Sequence, residues 1–295
     1  MSAEPMTTIR NEVARQARAG ERLDATTVSE LARLSDILAL GALADDARRR
    51  RHGASASYVR VHALDLAQTA HWTAAPATAH EVRLTGSAVS LDAALDAVLQ
   101  ARPLAGACVL RGFSLAQVFT WGGEESCRAL AAAGLDELAL CHVGEGGAEA
   151  IHAARDAGLA VRVLGVEQEP ADRAGWLLEV RALQDAVGGL HAVAPLPRLI
   201  DPTLPTTGYS DVRQVALARL ALEDLPSVQV HWGQYGPKLA QVALTVGADD
   251  LDGVPAEDDL THGSRRATLE DLRRNILAAG LTPVERTGRH AHLAG

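Results

Sequence analysis

At 295 residues, 47% hydrophobic and with 26 glycines and 12 prolines spread along it, the chain is long enough to bury one large core of the size an α/β barrel needs. A net charge of −9 and a 3% aromatic content argue against a nucleic-acid groove, which needs a basic face and bases to stack on. No apolar stretch reaches the length of a membrane span, and the first residues, with Glu4, Arg10, Glu12 and Arg15, hold no signal-peptide core. Cys108, Cys127 and Cys141 sit far apart with no CxxC, so neither a disulfide framework nor a zinc ribbon is expected, and a reduced cytoplasm fits.

Residues 1–22 are polar and mixed in charge, a helix or a loose arm. From Thr26, Leu31, Leu34, Leu38 and Leu43 recur at helical spacing and predict one helix that ends in Arg48–Arg51 before Gly53. Cations in a last turn suit the helix dipole, so this run reads as a solvated helix end, with a partner or phosphate contact as the other reading. Residues 1–53 then form a helical leader. Residues 54–295 form an α/β barrel with a C-terminal tail, in one structural domain with the leader.

Strands are expected at Tyr58–Leu64, at Ala107–Arg111, in ELALCHV, at Ala160–Gly165, at Leu190–Pro195, in the β-branched run Val228–Trp232 and in GADDLDG. Helices fall between most of them. One has Val215, Leu217, Leu220 and Leu222 on its apolar positions, and another starts at Gly236 and Pro237. Such βα repetition predicts a parallel sheet with right-handed crossovers, closed as a TIM-like barrel.

The segment TGYSDVRQVALARLALEDLPSVQVHWGQYGPKLAQVALTVGADDLDG, Thr207–Gly253, closely resembles a segment of one group of radical SAM enzymes, the aminofutalosine synthases and dehypoxanthine futalosine cyclases. There a TGxDDLRxxAxxRLxL helix is followed by a strand and by GxKxAQxALxFGADDxDG. The leader RLDATTVSELARLSDILALGALADDARRRRHG, the segment EPADRAGWLLEVRALQDAVGG, the turn GEGGAEA and the tail LTPVERTGRH resemble the same group, with Thr287 where the group has an aspartate. The resemblance implies a radical SAM barrel in menaquinone biosynthesis through futalosine. It also implies a CxxxCxxC loop after the first strand, whose thiolates hold a 4Fe-4S cluster that binds SAM. Here the matching stretch, DLAQTAHWTAAPATAHEVRLTG, has no cysteine and is shorter, and EVRLTGSAVSLDAALDAVLQA resembles the group's second strand and helix, so the cluster loop and first crossover helix are expected to be missing or much reduced. Neither a 4Fe-4S cluster nor SAM is expected as a cofactor, and the barrel is read as reduced.

Functional groups of such a barrel belong at the C-terminal ends of its strands. His62, His142, His191 and His231 lie on or beside predicted strands, and with Glu149 they are the candidate acid/base set; imidazoles meeting at one mouth also suit a transition metal, though no HxH or HExxH marks a metal site. The alternative is that each is a hydrogen-bonded packing residue. Glu145, Gly146 and Gly147 form a turn at a strand end, and Asp249 and Asp250 are expected to face the mouth as contacts to a substrate. Trp232 is a candidate pocket floor or a core residue.

Two functions follow. In the first, a degenerate barrel without a cluster binds a small-molecule pathway intermediate or partners a homologous radical SAM enzyme, as a homodimer or heterodimer, with no nucleic acid and no membrane. In the second, a cluster-independent lyase or hydrolase works on a futalosine-like substrate with the His/Glu set.

Overall fold

The computed structural model describes residues 11–144, 147–168, 170–198, 207–257 and 269–293. The leader holds three helices, α1 (Asn11–Ala19), α2 (Ala25–Ala32) and α3 (Ile37–His52). The single helix expected from Thr26 to Arg51 is therefore two. The aspartate in Leu34-Ser35-Asp36 makes the break, because its carboxylate accepts the backbone N–H groups of Leu38 and Ala39, both at 3.0 Å, and starts a new helix. Asp24 caps α2 in the same way through Thr27 N.

The basic run is not a uniformly solvated helix end either. Arg48 is fully buried, pairs with Asp45 at 2.9 Å and donates to Gly53 O at 3.2 Å. Arg50 donates to Arg18 O and Arg51 to Glu223 O, so the run ties the leader to itself and to the helix beside it.

The chain then alternates β1 (Ser55–Asp65), β2 (Glu81–Thr85), α4 (Leu91–Ala105), β3 (Val109–Ser114), α5 (Leu115–Thr120), α6 (Glu124–Ala133), β4 (Glu137–His142) and α7 (Gly147–Asp156). It continues with β5 (Val163–Gly165), α8 (Arg173–Val187), β6 (Ala192–Ala194), α9 (Gly208–Ala221), β7 (Ser227–His231), α10 (Trp232–Leu244), β8 (Asp250–Pro255), α11 (Leu269–Ala278) and β9 (Thr282–Glu285). Strands β1 to β8 pair in order, all parallel, and β8 returns to β1, which closes the barrel. Leucine, valine and alanine side chains between strands and helices make the main core, into which α9 is almost wholly sunk. A separate small cluster of Leu140, Val163, Ala192 and Ala194 packs among β4, β5 and β6.

Every crossover from β2 to β8 carries at least one α-helix, and the crossover from β1 to β2 does not. The expected reduction is there: a 3-10 helix, Leu66–His71, and an extended stretch replace the helix. The short connection is pinned by Asp65, which accepts Ala67 N at 2.9 Å, by Trp72 Nε1 on Asp65 O at 2.8 Å, and by Ala75 N on Leu104 O at 2.8 Å. Strand β9 was not expected. It pairs with Ser55–Tyr58, below the stretch of β1 that pairs with β2, and the tail then folds back with Arg286 opposite His292.

Candidate functional site

The barrel lumen is built from charge. In β2 and β8 the charged residues recur with period two, Glu81 and Arg83, Asp250 and Asp252, so each pair shares one face of its strand. Arg83 reaches across to Asp252 with two bonds, of 2.7 and 3.1 Å, and also holds Glu81. Arg111 of β3 bridges Glu81 and Glu137 at 3.1 and 2.9 Å. Buried ions are tolerated only when paired, and here they are chained across four strands, β8, β2, β3 and β4.

The mouth is completed by Arg198, which follows β6 and lies 3.4 Å from Asp252, and by His231 at the end of β7. The imidazole of His231 caps α10, its Nδ1 accepting Gln234 N at 3.1 Å, which leaves the proton on Nε2. Burial pushes its pKa down to about 4, and Arg198 and Arg83 act in the same direction against Asp252. Near neutral pH this ring is therefore a fixed hydrogen-bond donor rather than a proton shuttle. Gly253 makes room for it: a Cβ there would overlap the ring. Asp252 itself is held well below the ordinary carboxylate range, because Arg83, His231 and Arg198 together outweigh its burial.

The histidines do not converge. His142 ends β4 and His231 ends β7, so both reach the mouth. His62 instead turns to the β1–β2 connection, where Nε2 bonds Thr73 O at 3.0 Å. His191 precedes β6 and so lies at the opposite end of the barrel, stacked on His290 with ring centroids 4.1 Å apart. Glu149 is exposed in the first turn of α7. Among the described residues no group of three or more His, Cys, Asp or Glu is placed to hold a metal ion.

Asp249 and Asp250 are corrected in the same way. They precede and begin β8, which puts them at the bottom and not at the mouth. Asp249 accepts Arg219, Ser227 Oγ at 2.6 Å and Val228 N at 2.8 Å. Asp250 takes Arg286 at 2.6 and 2.7 Å, Ser57 Oγ at 2.5 Å and Gln229 Nε2 at 2.6 Å. Both carboxylates are spent on holding the sheet. Trp232 is 3% exposed and belongs to the main core. Gly147, with φ 62°, opens α7, and Glu145 and Gly146 lie outside the described residues.

Sequence reasoning missed Arg83, Arg198 and Asp252. The period-two charges in EVRLT and DLDG were the available signal, since charge inside a predicted strand points to a partner across the barrel.

The donor set of a 4Fe-4S cluster is not met after β1. Residues 66–80 contain no cysteine, and Cys108 lies before β3, Cys127 on α6 and Cys141 on β4. Burial raises the Cys108 thiol and pushes that of Cys127 up to about 11, away from the thiolate an iron site needs.

Residues 195–294 match the CofH/MqnC C-terminal region. The aminodeoxyfutalosine synthase of Streptomyces coelicolor is 35% identical over 144 residues, which are 42% of this chain and 37% of that protein. The cyclic dehypoxanthine futalosine synthase of the same organism is 27% identical over 201 residues, 58% of this chain and 50% of its own length. The chain thus spans about half or less of the curated relatives it matches. The crystal structure of methylornithine synthase (PylB) superposes with a TM-score of 0.69 at 13% identity, over 92% of this chain and 97% of that one, and shows a shared fold. Residues 195–294 are thus similar to the CofH/MqnC C-terminal region, and part of the chain is similar to an aminodeoxyfutalosine synthase and a cyclic dehypoxanthine futalosine synthase.

Proposed function

We propose that this chain is a cluster-free barrel of the futalosine-pathway group that binds a small polar pathway intermediate at its mouth, alone or beside a homologous radical SAM enzyme. The reading is carried by the β1–β2 connection. In the group it resembles, that loop holds the cluster cysteines; here it is cysteine-free and pinned to Asp65 and Leu104. The mouth keeps the means of recognising a polar ligand, with Arg83, Arg198 and the Nε2–H of His231 in fixed positions around Asp252.

The second reading, a cluster-independent lyase or hydrolase, asks more of the site. Of the five residues it would use, His191 lies at the opposite end of the barrel, His62 is bonded to Thr73 O, Glu149 is exposed on α7, and His231 is held neutral with Nδ1 occupied. Iron, sulfide and the absorption spectrum of the full chain purified without oxygen test the proposal. Iron and sulfide in stoichiometric amount would overturn it. Protein free of both, which retains a pathway intermediate or co-purifies with a homologous enzyme, would support it.

A further inference from the structure

After β9 the tail passes under the barrel, at the end opposite the mouth, and forms a turn. Thr287 N donates to Ala291 O at 2.8 Å, His290 N to Thr287 O at 3.1 Å and Ala291 N to Thr287 Oγ1 at 3.2 Å. The turn hangs between two anchors. Arg286 is held by Asp250 at 2.6 and 2.7 Å, and Gly288 donates to His80 O at 3.2 Å while its own carbonyl accepts Arg111 at 3.1 Å. Beyond them the side chain of His290 turns inward. It is 8% exposed, lines a cavity of about 140 Å³, and is stacked on His191 with ring centroids 4.1 Å apart.

This seat is a poor one for an imidazole. Neither ring nitrogen of His290 has a hydrogen-bond partner, and the residue stands at φ 62°, in the left-handed region that disfavours a side chain. Strain and unmatched polar atoms of this kind gather where a segment has a second position to adopt. A proton on the ring would make the seat worse. Asp250 is saturated by Arg286, Ser57 and Gln229, and Asp249 by Arg219, Ser227 and Val228 N. His52 of α3 is bonded to Pro226 O, and Asp252 of β8 is held by Arg83. Against that one carboxylate, His290 faces Arg286, Arg111 of β3 and His191, and His191 in turn faces Arg286 and Arg162. His292 is the other ring at the chamber and is exposed. Burial first, then these neighbours, hold His290 well below the usual imidazole range, and burial chiefly lowers His191. In the open, both rings regain their ordinary affinity for a proton, so acid favours whichever arrangement exposes them.

We propose that the turn Thr287–His292 is a proton-controlled plug, seated under the barrel with His290 neutral near neutral pH and swung out below about pH 6.5 while the eight-stranded barrel stays closed. Arg286, fixed by two bonds to Asp250, is the fulcrum, and opening frees Arg111 from Gly288 O. The device does not depend on what the mouth binds.

Hydrogen exchange of the full chain, read by mass spectrometry and corrected for the intrinsic pH dependence of amide exchange, follows the seating of the turn. Between about pH 7.5 and about pH 5.5, each imidazole that titrates near 6.5 only when released favours the open form about tenfold. Protection across residues 287–292 is therefore expected to fall at least about tenfold, and that of the barrel strands to persist. His290→Asn, whose side chain tolerates the left-handed backbone and does not titrate, is expected to cut the fall about tenfold. Adding His191→Gln is expected to leave no pH dependence. Equal protection of the natural turn at both pH values overturns the proposal, as does an undiminished fall in the double variant or loss of protection in turn and strands together. Where the asparagine turn does not seat, histidine side-chain NMR of the natural chain decides. Proton uptake by His290 only as the turn opens supports the plug, and a ring that charges while its turn stays protected overturns it.

Discussion

Arg83 on β2 and Asp252 on β8 face each other across the lumen in a two-bond ion pair, 2.7 and 3.1 Å, although β1 stands between their strands. Both side chains are nearly inaccessible, 12% and 3% exposed, so neither charge can be left alone. Removing one partner strands the other in a medium that solvates it poorly, at about 3–5 kcal/mol. Arg83→Met is therefore expected to lower the urea midpoint strongly. Arg83→Met combined with Asp252→Leu is expected to recover part of the loss, because neither member of the pair is left facing an empty place, while Arg198 loses its carboxylate and Glu81 keeps Arg111. A double variant no more stable than the worse single one would mean that the pair does more than neutralise itself.

Gly253 and His231 form a second unit. The imidazole occupies the space that a side chain at 253 would need, and Gly253 has φ 69°. Gly253→Ala is expected to displace the ring from its capping bond to Gln234 N and to destabilise by roughly 2 kcal/mol or more. Chemical denaturation of Gly253→Ala, His231→Ala and their combination checks this. Since the first substitution acts partly through the ring, the double variant should fall short of the sum of the singles. Strict additivity would show that the two residues are not coupled.

Much of this arrangement was legible in the sequence and some was not. Seven of the eight barrel strands were found because buried parallel strands read as β-branched or aliphatic runs between helical periods, and the second, EVRLT, was found by its resemblance to a known group. The shortened first crossover was found by its length and lack of cysteine. The break at Asp36 was overridden by the leucine spacing, although a capping aspartate stood in plain view. The ends of the strands were the weaker inference. Asp249 and Asp250 lie one turn of sequence from Gly253, and a boundary error of two or three residues carries a carboxylate from the bottom of a barrel towards its mouth. Strand β9 is four residues long and depends on pairing with β1, a contact more than 200 positions away that no local pattern records.

Acid should loosen this fold before carboxylates titrate. The pKa of His231 is lowered to about 4, and those of His52, His191 and His290 are lowered as well, each chiefly by burial. A histidine whose folded pKa lies below its unfolded value contributes stability that is complete above about pH 6.5 and is lost as the pH falls towards the folded pKa. For His231 that window runs from about 6.5 down to about 4, and its contribution is on the order of 3 kcal/mol. The denaturation midpoint is expected to be flat from about pH 7 to 8 and to fall steadily below about pH 6.5. His231→Asn, which keeps a capping side chain, should flatten part of that fall. A midpoint unchanged down to about pH 4.5 would show that these rings are not held neutral by burial.

Asp249 separates the two ends of the barrel by experiment. Its carboxylate joins Arg219 of α9 to Ser227 and Val228 at the start of β7, all of it at the bottom. Asp249→Ala leaves the Arg219 guanidinium buried without its partner, and about 3–5 kcal/mol of stability is expected to go with it. Any ligand bound at the mouth should keep its affinity in protein that remains folded, because Asp252, Arg83 and Arg198 do not contact this cluster. Arg198→Ala is expected to show the opposite pattern. Arg198 is 21% exposed and its distance of 3.4 Å to Asp252 is the longest in the mouth network, so its loss should change stability by about 1 kcal/mol or less and fall chiefly on ligand affinity. Measuring the denaturation midpoint and mouth-ligand affinity for both variants decides the assignment. Loss of affinity in folded Asp249→Ala, with Arg198→Ala unaffected, would move the binding site to the other end of the barrel.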